Sequence, residues 1–466
     1  MLEREVKLAV APTFQLPDLI DIAAAIETSP IDERRLETVY YDTPDLRLAR
    51  WGCSFRLRQG EGWTLKLPTP GQAATLNRRE LEFPGDASGP PEAAVALVMA
   101  YVRKSPLVPV ASLSTVRRRV QLRDREGALL AEVVDDDVSV IQGLRVQSRF
   151  REVEVELRDP KAEPLLEPIL ARLRGAGAAG EDQTSKLVRA LGARASAAPE
   201  VDPIVITPTS SAGDLVRHLI AGSVASLMRH DPGVRLGDDP EDVHKARVAT
   251  RRLRSQLRSL GDVLDPAWAG ALREELRWVG RALGEVRDKQ VLSQRLRGRA
   301  SDLPDGDARL VAELANELQE ESQEARGRLV LDMRSDRYLD LIERLVEASR
   351  APVLAAEAEE PAATVAGRLA RRDWKRLRYV AEGAAPVVGK AAERQAQAAT
   401  RLQDLLGDHQ DSVTAQRWLR TAGDGERRFV AGELSALERG AAMQAQAKWP
   451  ALWKKLDRKR LRRWMI

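Results

Sequence analysis

Through residue 160 the apolar residues recur at every second position in short runs: Leu2–Val10, Leu36–Tyr41, Ser54–Arg58, Trp63–Leu67, Arg78–Phe83, Val116–Arg123, Ala128–Val134 and Phe150–Leu157. Period-two alternation marks strands with one face buried. Gly60-Glu61-Gly62 reads as a hairpin turn between two of them. Four segments break the pattern with helical spacing: Leu16–Glu27, Pro91–Tyr101, Pro164–Leu173 and Thr184–Leu191. The eight runs predict an antiparallel β-barrel with flanking helices, a closure that also removes exposed sheet edges.

Residues 193–209 are rich in Ala, Ser and Pro, the composition of a linker. Beyond them the period becomes helical, in long Arg/Leu/Glu/Ala stretches broken at Pro232, Pro266, Pro304, Pro352, Pro361 and Pro386. Eight to ten helices in a bundle are predicted. The expected organisation is therefore α+β and multidomain: 1–192 as the barrel, 193–209 as the linker and 210–466 as an all-α domain.

Composition narrows the chemistry. One cysteine, Cys53, excludes an intrachain disulfide framework and a Cys-cluster metal site, and four histidines leave little for a His-rich one. A metal would have to rest on carboxylates, which favours Mg²⁺, Mn²⁺ or Ca²⁺ over zinc. No apolar run approaches a membrane span and no signal-peptide pattern opens the chain, so a cytoplasmic protein with no membrane partner is expected. The net charge of +4 hides clusters, with 28 Lys+Arg against 30 Asp+Glu in residues 1–200 and 46 against 40 afterwards. Clusters, not totals, set local potential.

In the barrel the charges share strand faces. Glu3, Glu5 and Lys7 lie on one face of the first strand, Arg56 with Arg58, Thr64 with Lys66, Arg117 with Arg119, and Glu152, Glu154 and Glu156 on the last. These are either solvated outer faces or, with the strands closed the other way, opposite walls of one tunnel. In the second arrangement the carboxylates suit a hard divalent cation and the Arg/Lys wall suits a polyanion, a combined metal and phosphate site. No P-loop or Rossmann glycine motif competes with it.

Glu3-Arg4-Glu5-Val6-Lys7 reproduces the ExExK signature of the CYTH domain, the triphosphate tunnel metalloenzymes. The resemblance runs on through Tyr41-Asp42-Thr43, Arg56-Leu57-Arg58, Lys66, Arg79-Glu80-Leu81-Glu82, Arg117, Asp135, Glu152–Glu156 and Ser185-Lys186, over residues 1–192. It implies an eight-stranded antiparallel tunnel that binds triphosphate compounds with Mg²⁺ or Mn²⁺. Carried over by position, Glu3, Glu5 and Glu154 are metal ligands, and Glu152, Glu156 and Asp135 act on a second metal or on water. Lys7, Arg56, Arg58, Lys66, Arg117, Arg119 and Lys186 grip the phosphates. Asp135 opens a run of three aspartates without the glycine often found there, which leaves open which of the three faces the tunnel.

In the helical half His244, Arg247, Arg251, Arg254 and Arg258 form one stripe at spacings of three and four. Arg368, Arg371, Lys375, Arg376 and Arg378 echo the region 124 residues later, and Leu283–Asp288 is echoed by Leu406–Asp411 at 123. Two copies indicate an internal duplication. The segment HKARVATRRLR followed by LGEVRD resembles the CHAD domain, over about Ser211–Ile466. That resemblance implies binding of inorganic polyphosphate, with some members on polyphosphate granules. His244, Lys245, Arg247, Arg251, Arg252, Arg254, Arg371, Lys375, Arg376 and Arg378 are its expected contacts.

The expected function is metal-dependent hydrolysis of inorganic triphosphate or a related compound, with polyphosphate held by the helical domain. The alternative is a non-catalytic polyphosphate-binding protein. Aromatics at 4%, none interleaved with the basic stripes, argue against nucleic acid as the partner.

Overall fold

The computed structural model describes residues 4–23, 26–68, 78–372 and 377–465. The chain divides into two compact units, Met1–Glu200 and Val201–Ile466. The divide falls within the Ala/Ser/Pro-rich stretch, whose flanks are anchored: Ala195 is buried in the first unit, Val201 and Ile206 in the second.

The first unit is one antiparallel sheet built from β1 (Arg4–Val10), β2 (Ile26–Thr28), β3 (Asp32–Asp42), β4 (Ser54–Arg58), β5 (Gly62–Pro68), β6 (Arg78–Phe83), β7 (Val108–Asp124), β8 (Leu129–Gln142) and β9 (Arg145–Leu157). Eight of these follow the order β1-β9-β8-β7-β3-β4-β5-β6, and β2 pairs with β7. Laid flat, seven steps of about 4.8 Å would hold β1 and β6 roughly 34 Å apart. Yet Glu5 of β1 and Glu80 and Glu82 of β6 line one cavity, so the sheet is curled into a half-barrel. Strands β7, β8 and β9 are longer than the sequence pattern predicts, because ends such as Arg145–Arg149 are polar and exposed on both faces.

Curling sends the apolar faces outward against helices. Leu8, Val133, Val153 and Val155 pack with Ile169, Leu170 and Leu173 of α3 (Leu166–Gly175). Earlier short helices are α1 (Arg47–Arg50) and α2 (Glu92–Val102), and α4 (Lys186–Leu191) starts at Ser185, whose hydroxyl accepts from the Val188 amide. The helix expected over Leu16–Glu27 is not formed: residues 11–23 run as irregular backbone with short turns, and Ile26–Thr28 is a strand. Pro17 biases Leu16 toward extended backbone, the Asp18 carboxylate accepts from the Ile20 amide, and Asp21 sits at φ 59°. The apolar spacing there serves packing, since Leu19 and Phe14 join the core around Leu8.

The second unit is helical: α5 (Ala212–Leu236), α6 (Pro240–Ser259), α7 (Pro266–Arg299), α8 (Asp305–Arg334), α9 (Asp336–Arg350), α10 (Ala362–Arg372), α11 (Leu377–Val388), α12 (Lys390–Leu419), α13 (Gly425–Leu456) and α14 (Lys459–Arg462). Pro266 occupies the first turn of α7 and Pro304 caps α8, positions that tolerate proline. Pro232 and Pro386, expected as breaks, lie inside α5 and α11 instead. Pro232 is buried with most of one face of α5, and packing of that face outweighs the missing helix bond. The two echoed segments fall on α7 and α12, and Leu292, Leu296, Val311, Leu314, Leu419 and Leu434 join those helices to α8 and α13 in one core.

Candidate active site

The inner face of the curled sheet encloses a cavity of about 230 Å³. Register fixes its composition: Glu5 pairs with Glu156 and Lys7 with Glu154 across β1 and β9, while Thr38 pairs with Arg58 and Tyr40 with Arg56 across β3 and β4. Since alternate residues share a face, Glu5, Glu154 and Glu156 line one side. Arg56, Arg58 and Lys66 line another.

Part of the cavity wall is a buried ionic network. Lys186 Nζ is 2.6 Å from Glu152, 2.9 Å from Glu154 and 3.0 Å from Asp136. Lys7 Nζ is 2.8 Å from Glu154 and 3.3 Å from Glu152. Arg117 grips Asp136 with two hydrogen bonds, 2.9 and 2.7 Å. Burial alone would raise the Glu154 carboxyl, but Lys186, Lys7 and Arg117 outweigh it and hold Glu154 well below its ordinary range. Burial likewise works against charge on Lys186, and Glu154, Asp136 and Glu152 drive that lysine well above its ordinary value. Glu152 goes the other way: burial dominates, with Glu154 adding to it against the pull of Lys186, and its carboxyl is pushed up.

The cationic wall is only partly satisfied. Arg56 Nη2 is 3.4 Å from Glu80, Lys66 Nζ is 2.8 Å from the same carboxylate, and Arg58 donates to Glu61 at 2.7 Å. The Nε groups of both Arg56 and Arg58 are buried without a hydrogen-bond partner. Burial and then the neighbouring Arg56 charge lower the Arg58 guanidinium. Buried N–H groups left unpaired are costly, and both guanidinium-bearing side chains line the cavity.

Chain matches agree with the geometry. Residues 1–188 match the CYTH domain, and residues 218–376 and 370–420 match the CHAD domain. Two uncharacterized proteins of Mycobacterium tuberculosis, MT2285 of strain CDC 1551 / Oshkosh and Rv2226 of strain H37Rv, are each 32% identical over 514 residues, covering 98% of this chain and 96% of theirs. The chain belongs to the CYTH–CHAD family. In fold it is also similar to PptA from Streptomyces chartreusis (19% identity, TM-score 0.41, 53% of this chain and all of that one). A second likeness is to the CHAD domain of Ricinus communis (22%, 0.39, 57% and 95%). By its CYTH and CHAD domain matches the chain is a triphosphate-tunnel and polyphosphate-related protein, and the CYTH family includes divalent-metal-dependent triphosphatases.

Most of the expected tunnel residues are gathered in one place. Lys7, Arg56, Arg58, Lys66, Arg117, Lys186, Glu5, Glu154 and Glu156 line the cavity; Arg119 lies in an adjoining chamber, and Glu152 lies under the lysines. Glu3 lies outside the described residues. Asp135 is a correction: it faces outward, held by Arg151 at 2.8 and 2.6 Å, and Asp136 takes the inward place. The pairing of Asp136 with Glu152 across β8 and β9 imposes that parity. For a divalent metal the donors fit by type, since Glu5, Glu154 and Glu156 offer the carboxylate oxygens that hard cations take. Among the described residues, no three such groups are already gathered around one point.

In the CHAD domain the expected anion contacts separate into two kinds. Arg247 is paired with Asp288, Lys245 with Glu241 at 3.1 Å, and both Arg252 and Arg378 with Glu382. His244 is half-buried and lowered by burial and by Arg287. Arg371 is exposed, and Lys375 and Arg376 lie outside the described residues. Arg251 and Arg254 instead join Arg258 of α6 and Arg273 and Arg277 of α7 around a cavity of about 230 Å³. Burial and then Arg277, Arg273 and Arg281 lower Arg254. The sequence reading missed the α7 contribution, although Arg273, Arg277 and Arg281 recur every fourth residue on one helix face.

The Glu154 assignment has a pH signature. A depressed carboxylate stabilises the fold above its unfolded value, close to the ordinary 4.5, and that stability is lost as pH falls toward the folded value. Glu154→Gln should cost about 2–3 kcal/mol at neutral pH, short of the roughly 3–5 kcal/mol for breaking a buried pair, because Glu152 and Asp136 still hold Lys186. Urea denaturation should show this gap narrowing below the ordinary value of 4.5; a gap that persists unchanged into acid would contradict the network.

Proposed function

We propose that the CYTH domain hydrolyses inorganic triphosphate or a related triphosphate compound with Mg²⁺ or Mn²⁺, and that the CHAD domain holds inorganic polyphosphate. The observation that carries the reading is one cavity lined both by Arg56, Arg58 and Lys66 and by the carboxylates Glu5, Glu154 and Glu156. An anion site alone needs no carboxylates, which would repel its ligand. A divalent cation held by the carboxylates would reconcile the two walls by neutralising phosphate charge.

The chain's own residues divide the work. Arg56, Arg58 and Lys66 would hold non-bridging oxygens of the phosphate chain, with arginine supplying forked contacts. Lys7, Lys186 and Arg117 neutralise charge and are held in place by Glu152, Glu154 and Asp136. Glu5, Glu154 and Glu156 would take the metal, which supplies Lewis-acid neutralisation of phosphate oxygens when bound. Water attacks the terminal phosphorus, the anhydride P–O bond breaks, diphosphate leaves and a cavity carboxylate accepts the water proton. Positioned cations supply most of the acceleration.

In the CHAD domain, like charges as crowded as Arg251, Arg254, Arg258, Arg273 and Arg277 call for a polyanion. Polyphosphate has no bases to stack, which matches a cavity lined by arginines and Ser255 without an aromatic ring.

Glu5→Gln should remove metal-dependent phosphate release from tripolyphosphate, a loss of about 100-fold or more, while leaving long-chain polyphosphate binding unaltered. Retained turnover would reject the metal assignment. Charge reversal at Arg251, Arg254 and Arg277 should do the converse, abolishing long-chain binding in a filter or calorimetric assay while tripolyphosphate turnover persists. Undiminished affinity would reject the arginine cavity as the polyphosphate site.

A further inference from the structure

A second chamber of about 90 Å³ adjoins the main cavity, and three side chains, Arg117, Glu156 and Arg158, line both. Arg158 follows the last residue of β9, on the inward parity of Glu152, Glu154 and Glu156. Its Nη2 stands 2.5 Å from Glu132 and 2.5 Å from Glu156, and its Nε donates to Glu132 at 2.8 Å. Glu132 and Glu156 face each other in register across β8 and β9, so one guanidinium spans both carboxylates between the chambers.

The two chambers differ in what they offer an anion. In the main cavity, buried Arg56 and Arg58 keep donors without a partner. Behind Arg158 the cations are matched: Arg119 lies 2.9 Å from Asp32 and 3.4 Å from Glu132, and Arg34 lies 3.0 Å from Asp32. A phosphate chain entering from the main cavity would have to displace charge-assisted bonds and pass two carboxylates. Arg158 is about one-third exposed, which leaves it room to swing outward.

We propose that Arg158 is a chain-length gate. Its bridge to Glu132 and Glu156 closes the passage, so the main cavity accepts a short linear phosphate and stops a longer one from threading into the second chamber. The gate rests on the triphosphatase reading, since it sets which phosphate chains that site accepts. Arg158 is a specificity residue and takes no part in bond breaking. Its removal should leave the chamber wall standing, because Glu132 still accepts from Gln121 at 2.8 Å and faces Arg119.

The test compares kcat/KM for tripolyphosphate and for a medium-chain linear polyphosphate in the full chain, with Mg²⁺ present. In Arg158→Ala the ratio favouring tripolyphosphate should fall about tenfold, equivalent to about 1.4 kcal/mol. Glu132→Gln, which loosens the same bridge without touching the guanidinium, should move the ratio in the same direction and carries the test if Arg158→Ala misfolds. Both domains' contributions are common to the proteins compared, so polyphosphate held by the CHAD domain cancels in the change of ratio. Turnover of tripolyphosphate with the same ratio in all three proteins would overturn the gate alone. No turnover of either substrate by the unaltered protein would overturn the triphosphatase reading, and the gate with it.

Discussion

The first unit depends on one constraint: ions placed inside a curled sheet must be met by other ions. A buried charge without a partner costs several kcal/mol, so Lys7 and Lys186 are sustainable only beside Glu152, Glu154 and Asp136. That network fixes much else. It requires β1, β8 and β9 to keep their charged faces inward, which forces Leu8, Val133, Val153 and Val155 outward and makes the helical cover at Ile169 and Leu170 necessary. It also accompanies Arg56 and Arg58, whose side chains line the same cavity and on which the proposed anion site rests.

The same residue type serves two ends in the second unit. Arg252 and Arg378, drawn from the two copies of the duplication, converge on Glu382 and so tie the copies together. Arg295 and Arg299 do comparable work on buried Glu438, joining α7 to α13. Arg277 pairs within its own helix, with Glu274, and around the same cavity Arg254 faces the charges of Arg277, Arg273 and Arg281. Counting arginines along a helix does not separate these uses; the carboxylates opposite them do.

Where alternation was strict, the site was legible in the sequence. Glu152, Glu154 and Glu156 alternate with Val153 and Val155, and Arg56 and Arg58 flank Leu57, so period two alone groups them on a face. It failed where alternation lapses. Val133-Val134-Asp135-Asp136-Asp137 carries no parity of its own, and only pairing with β9 turns Asp136 inward and Asp135 toward Arg151. Leu16–Glu27 has helical spacing, but the local preferences of Pro17 and Asp18 and the pairing of Ile26–Thr28 with β7 prevail. The arginines of α7 escaped because they complete a cavity with another helix, a relation that tertiary packing creates.

The central claim is that the carboxylate and cationic walls of the CYTH domain act on one ligand, with a metal between them. The most direct measurement is a crystal structure of the full chain with Mn²⁺ and tripolyphosphate, using anomalous scattering to locate the metal. Mn²⁺ is expected against Glu5, Glu154 and Glu156, and phosphate oxygens within hydrogen-bond distance of the Arg56 and Arg58 guanidinium groups. Tripolyphosphate bound solely at the Arg251–Arg277 cavity, with the curled sheet holding neither metal nor anion, would contradict the claim.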